Sequence, residues 1–217
     1  MKELLWAGVY SSDSFFCIKK IALKIRTQEM NEQRSKYFSD RKAWRTWLEA
    51  NFDKEADIWL EYPLKKTNKK RILYNDAVEE ALCFGWIDST LRSLNETTSI
   101  QRFCRRRKNS AYSQPNIERL KWLYERNLVH GAIREEVSEI VQQNFTFPED
   151  ILTRLKEDVE VWQHYQNFSE PYKRIRIAYI DSARKRPEEF NKRLNHFINK
   201  TKVNKQIKGF GGIEKYY

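Results

Sequence analysis

Cysteine, histidine and glycine are scarce in this chain, and each shortage closes a class of chemistry. The three cysteines, Cys17, Cys83 and Cys104, are odd in number and never at CxxC spacing, which argues against a disulfide framework or a zinc site. Reduced thiols, and so a cytoplasmic protein, are the expectation. The three histidines, His130, His164 and His196, lack metal-ligand spacing and read as lying mostly on polar helix faces. Of the six glycines, Gly209, Gly211 and Gly212 crowd into the tail, without the lysine and hydroxyl of a phosphate-binding loop. Long apolar runs are missing too: nothing approaches the ~18 residues that span a bilayer. Residues 4–10 are apolar but short, serines interrupt them, and no small-x-small cleavage site follows.

Charge and aromatic surface are abundant instead. Lysine and arginine number 41 against 30 aspartates and glutamates, a net charge of +11. Such an excess favours an anionic ligand or a polyanion as partner, nucleic acid or a phosphorylated molecule; the plain alternative is a soluble protein that happens to be basic. Seven tryptophans supply large core anchors, and 217 residues suit one medium domain or two small ones.

Residues 1–36 read as an extension. Within them residues 15–25 have the pattern of a basic amphipathic helix, and Met30 competes with Met1 as the natural start. Beyond, Ser39 or Asp40 caps a helix with Trp44, Trp47 and Leu48 on one face. Residues 57–66 read as a strand with Ile58, Leu60 and Tyr62 on one side, Trp59 and Glu61 on the other, and Pro63 marking an edge or an early end. Asp76 and Glu79 suggest a capping-box entry to a helix that Gly85 stops. Two strands, 86–94 and 97–103, follow. Ser113 caps the next helix, Gly131 separates it from another, and residues 146–150 open a third. Helices over 170–183 and 187–203 complete the chain, and the hydrophobic tail is expected to dock.

The candidate site lies in residues 102–112. Arg102, Arg105, Arg106, Arg107 and Lys108 offer guanidinium and ammonium donors, Ser110 and Asn109 add to them, and Tyr112 and Trp122 offer stacking surfaces. A solvated charged loop is the blander reading. Asp88, two residues past Trp86, is placed to pair with Arg102 across the strands or to stand as an ordinary paired aspartate beside a buried tryptophan. Arg184, Lys185 and Arg186 form a second basic cluster, in a region where residues 173–208 hold 12 Lys or Arg against 3 Asp or Glu. Cys83 reads as core, and Cys104, between Arg102 and Arg105, as the thiol with a route to thiolate reactivity. Glu79-Glu80 and Glu135-Glu136 read as helix surface. No residue is assigned to catalysis, a metal or a cofactor.

Four blocks carry a resemblance to a known family: AWRTWLEANF (residues 43–52), EALCFGWIDS (80–89), QRFCRRRKNSAYS (101–113) and PYKRIRIAYIDSARKRPEEFNKRL (171–194). In this order they resemble the YdeI/OmpD-associated, or bacteriocin-protection, family over about residues 37–217. Cys104 and Arg105 stand where that family usually has Thr and Pro, Tyr112 and Tyr179 where Trp is common, and Asp181 where Glu is common. The resemblance implies a small sheet on helices with a helical C-terminal module, and a link to tolerance of bacteriocins or cationic antimicrobial peptides and to envelope stress. It implies no chemistry that transfers residue by residue.

The expectation is therefore an α+β protein: an extension (1–36), a small antiparallel sheet packed on helices (37–130), a helical connector (131–169) and a helical C-terminal module (170–217). Its expected role is non-enzymatic anion binding. The rivals are nucleic-acid binding through the basic clusters, and a small-molecule enzyme with a pocket near Trp86 and Arg102.

Overall fold

The computed structural model describes residues 35–107, 110–209 and 213–217. The basic helix read over residues 15–25, the start at Met30, Cys17, Lys108 and Asn109 lie outside the described residues. Among those described, four strands and a set of helices give the α+β class, with the sheet in the N-terminal part and helices alone after it.

The first core is built on indole rings. Helix α1 (Arg41–Asn51) is capped by the Asp40 carboxylate, which accepts the Ala43 N–H at 3.0 Å. The i, i+4 pair Trp44 and Leu48 is fully buried, and the Trp44 indole N–H donates to the Ala77 carbonyl at 3.0 Å. That carbonyl belongs to α2 (Tyr74–Cys83), so one hydrogen bond fixes the two helices in register. Strand β1 (Ser35–Tyr37) runs parallel to β2 (Asp57–Pro63), while β3 (Trp86–Ser93) and β4 (Thr98–Arg105) are antiparallel; the order is β1-β2-β4-β3. The short parallel strand makes the sheet mixed. It covers β2 only at residues 59–61, so Pro63 sits at the strand's end, where no ladder N–H is required.

Alternation on β2 sends Ile58, Leu60 and Tyr62 to the helices, and leaves Trp59 on the opposite face with Leu94 and Ile100. Gly85, at φ +73°, turns α2 into β3, a conformation that glycine adopts without Cβ strain.

Two expectations about α2 are corrected. Asp76 is not its cap: the helix begins at Tyr74, behind Leu73, with no side-chain cap. Glu79 and Glu80 are not helix surface either. Both are buried, because cations from two other segments close over them. Arg41 reaches both, at 2.7 Å for Glu79, and Arg45 donates to Glu80 at 2.7 Å. Lys215 and the Tyr216 hydroxyl, from the chain's last turn, close on Glu79.

Helices α3 (Gln114–Glu125) and α4 (Arg134–Gln142) complete the first core, and α5 (Glu149–Lys156), α6 (Val159–Asn167), α7 (Glu170–Asp181) and α8 (Pro187–Lys202) form the second, around Tyr172, Ile177, Leu194 and Phe197. Helix α6 adds to the expected helices: Asp158, which caps it, precedes the apolar spacing Val161, Trp162, Tyr165. The two cores are fastened at α3 and α7. Glu118 accepts Arg174 Nε at 2.7 Å and Nη2 at 2.8 Å, and Ile213 and Tyr216 of the terminal turn pack with Ile175 against Trp122. The tail does dock.

Candidate functional site

The sheet separates residues that lie close in sequence. Asp88 is the register partner of Phe103, so it shares the helix-facing side, while Arg102 points to the open side with its partner Trp59. The expected Asp88–Arg102 pair therefore does not form. Asp88 instead accepts the Tyr74 hydroxyl at 2.8 Å, and Arg102 donates Nε to Asp57 at 3.0 Å. The Asp57 contact holds the Arg102 guanidinium above its ordinary pKa. Trp86 is sealed in the core, its indole N–H on the Phe52 carbonyl at 3.1 Å. Trp86 is buried, and Asp88, Arg102 and Tyr112 point to separate places, so among the described residues these four do not line one common pocket.

The cationic run is largely occupied by its own loop. Arg106 Nη2 donates to the Ser110 carbonyl and hydroxyl (2.7 and 2.9 Å) and to the Ala111 carbonyl (3.0 Å). Its guanidinium lies 3.5 Å from the Tyr112 ring centroid. Arg106, Ser110 and Tyr112 are thus brought together, but as a staple that shapes the turn before α3. Arg105 Nε donates to the Glu55 carbonyl at 3.1 Å, and Arg107 is exposed. All three arginines border a small recess of 240 Å³ with Phe52, Phe84 and Glu136. Trp122, the other proposed stacking surface, is already covered by Arg126 at 4.0 Å.

The second basic cluster divides in the same way. Arg184 donates to both Asp150 oxygens, at 2.9 and 2.8 Å, and to Asp181, tying the start of α5 to the end of α7. Those contacts push its pKa above the ordinary arginine value. Lys185 and Arg186 are exposed. Four residues thus read as free anion-binding donors, Arg102, Arg105, Arg106 and Arg184, are bound to protein oxygens. A run of cations read along the chain does not reveal that, because the acceptors come from distant segments.

A larger concavity, of 440 Å³, lies between α7 and α8. Helix α7 contributes Arg176, Tyr179 and Ile180. Helix α8 contributes Glu189, Lys192, Arg193, His196 and Phe197, and Ile207 and Lys208 close the end. The α8 residues are spaced i, i+3, i+4, i+7, i+8, the signature of a single helix face. Arg193 stacks on Tyr179 at 3.9 Å and donates to Glu189 at 2.7 Å, which holds that carboxyl below its ordinary range. Arg176 donates to the Ile207 carbonyl, while the Ile207 N–H donates to Tyr172 Oη at 2.9 Å. The nearby Glu214 accepts the Gly209 N–H at 2.9 Å; that bond first, then the fields of Arg176 and Lys208, lower its pKa. Among the described residues no carboxylate lies within ion-pair distance of Lys192 or Lys208. An aromatic floor with cations around it suits an anion. Only Lys192, Arg193 and His196, at helical spacing beside Phe197, marked this face in the sequence.

No group of three or more His, Cys, Asp or Glu among the described residues is placed to hold a metal ion, and none of the helices described is long and apolar enough to cross a membrane. His130 lies between Phe52 and Phe84, tilted against the first at 4.8 Å and stacked on the second at 5.1 Å, rather than on a polar face. Cys83 is fully buried, and burial, then the Glu80 charge, pushes its thiol up to about 12.

Residues 144–204 match the family model described as "Bacteriocin-protection, YdeI or OmpD-Associated". Residues 36–136 match a different one, described as "Domain of unknown function (DUF8412)". The resemblance read over residues 37–217 is thereby carried by the C-terminal match alone, through the block at 171–194, and the blocks at 43–52, 80–89 and 101–113 fall within the other. Comparison with curated proteins and with solved structures finds no match.

Proposed function

From a chain whose residues 144–204 are a domain of the bacteriocin-protection, YdeI or OmpD-associated family, we propose a binding protein, not a catalyst, that takes a small phosphorylated anion in the α7–α8 cleft. The carrying observation is that Lys192 and Lys208, with His196 between them, line one 440 Å³ concavity, whose wall also holds the charges of Arg176 and Arg193, engaged by the Ile207 carbonyl and by Glu189. Glu189, the carboxylate in its lining, is already neutralised by Arg193. A volume of this size fits a compact ligand better than a polymer. The proposed setting is the cytoplasm, and the proposed pathway is tolerance of bacteriocins or cationic peptides under envelope stress. A net charge of +11 opposes direct capture of a cationic peptide, so the link to tolerance runs through the anionic ligand.

Calorimetric titration with pyrophosphate at low salt tests this. Binding is expected, and Lys192→Glu with Lys208→Glu should weaken it by about a hundredfold or more, because two charge-assisted contacts of about 1.5–3 kcal/mol each are lost. Absence of binding, or binding indifferent to the double variant, refutes the reading. A short oligonucleotide that ignores the cleft variant but fails on Arg107→Glu, Lys185→Glu and Arg186→Glu would instead favour the polyanion reading, with a steep negative salt slope.

A further inference from the structure

A second cavity, of 400 Å³, opens on the helix-facing side of the sheet, away from the α7–α8 cleft and independent of its ligand. Strands β2 and β4 supply Tyr62, Ser99 and Gln101 to it, β3 supplies Leu91, and the segment entering α2 supplies residues 71–74. It exists because the pairing slips by a residue between Asp88 and Leu91, which turns Leu91 to the side of its register partner Gln101.

Three features of the wall point to a ligand. Tyr62 is 7% exposed, yet its hydroxyl, closed off from solvent, meets no hydrogen-bond partner. Burial holds that phenol well above its ordinary pKa, so it remains a donor at any physiological pH. Leaving a buried hydroxyl unmade is costly and calls for a reason. Next, the rim is apolar: Leu73 is 66% and Leu91 65% exposed, with Tyr74 beside them, an arrangement a folded chain does not favour in water. Finally, Arg71 borders the same space, one guanidinium nitrogen anchored on the Pro63 carbonyl at 2.8 Å. Of the two negative charges that act on Tyr62, Asp88 is engaged by the Tyr74 hydroxyl and Asp76 by Arg41 at 3.5 Å.

We propose that this cavity binds a small carboxylate with a flat apolar body, the carboxylate taking the Tyr62 hydroxyl and the Arg71 guanidinium, the body lying between Leu73, Tyr74 and Leu91. Two donors of this kind suit an anionic acceptor, and the apolar rim suits the rest of such a molecule.

Naphthoate is the probe, with naphthylmethanol as its neutral counterpart, titrated into the full chain and followed by amide chemical shifts. Saturable shifts are expected at residues 71–74, 91 and 99–101, with the alcohol binding more weakly. Tyr62→Phe keeps the ring and removes the donor. It should melt no lower than the parent, because an unsatisfied hydroxyl is gone, yet bind naphthoate about tenfold more weakly. Arg71→Gln should erase the preference for the acid over the alcohol. No saturable shift at these amides, or unchanged naphthoate affinity in Tyr62→Phe, overturns the site. Equal binding of acid and alcohol by the parent overturns the carboxylate class. The cleft variant Lys192→Glu with Lys208→Glu should leave naphthoate binding unchanged, which separates this site from the one proposed above.

Discussion

Replacing Arg174 by methionine would test what holds the two halves of the molecule together. The Glu118 side chain is 2% exposed, and both its oxygens are in use. Oε1 accepts Arg174 Nε and Gln114 Nε2, each at 2.7 Å, and Oε2 accepts Arg174 Nη2 at 2.8 Å. Without Arg174 the carboxylate keeps one neutral donor and no counter-charge. Stranding a buried charge in this way costs about 3–5 kcal/mol, a large part of the ~5–15 kcal/mol that holds a domain folded. Replacing both partners, as in Glu118→Met with Arg174→Met, removes the stranded charge and should recover most of that loss. Urea unfolding of the parent, both single variants and the double variant measures all of this. A loss below about 1 kcal/mol in Arg174→Met, or a double variant no more stable than it, would refute the reasoning.

Three further outcomes follow from the first core. Burial alone would raise the pKa of Glu79, but the Lys215, Tyr216 and Arg41 donors outweigh it and hold the carboxyl below its ordinary 4.5. A depressed folded pKa means stability present above 4.5 and lost as pH falls through the folded value, so Glu79→Gln should flatten the acid limb of a urea-midpoint profile. Cys83, with its thiol at about 12 and no exposure, should resist iodoacetamide in the native protein while Cys104 is alkylated; peptide mass mapping that finds equal rates refutes the burial argument. At Gly85 an added Cβ would stand 3.5 Å from Ile133 Cγ2, an ordinary contact, so Gly85→Ala should cost only the backbone strain of positive φ, about 1–2 kcal/mol in thermal or urea unfolding, and Gly85→Asn less.

The local pattern of the chain determined its elements. Asp40 ahead of Trp44 and Leu48, the alternation of Ile58, Leu60 and Tyr62, Gly85 after an apolar stripe, and Pro115 in the first turn of α3 each specify a cap, a face, a stop or a start through forces acting over a few residues, although Ser113, at the N-cap position of α3, makes no side-chain cap. The α+β class and the C-terminal family resemblance were legible for that reason. Charge carried no such information. Whether Arg106 or Arg184 is free depends on acceptors supplied by distant segments or a folded loop, and whether Glu79 faces water depends on Arg41 and on Lys215 at the far end of the chain. A long polar side chain is equally at home on a surface or in a satisfied interior, and a one-dimensional pattern does not distinguish the two. Only the tertiary structure decided which cations remain open, gathering Lys192 and Lys208 into one cleft beside His196. It also decided that Leu91 turns to the side of Gln101 at the Asp88–Leu91 register shift, and that the buried Tyr62 hydroxyl, in the wall of the same cavity, meets no partner.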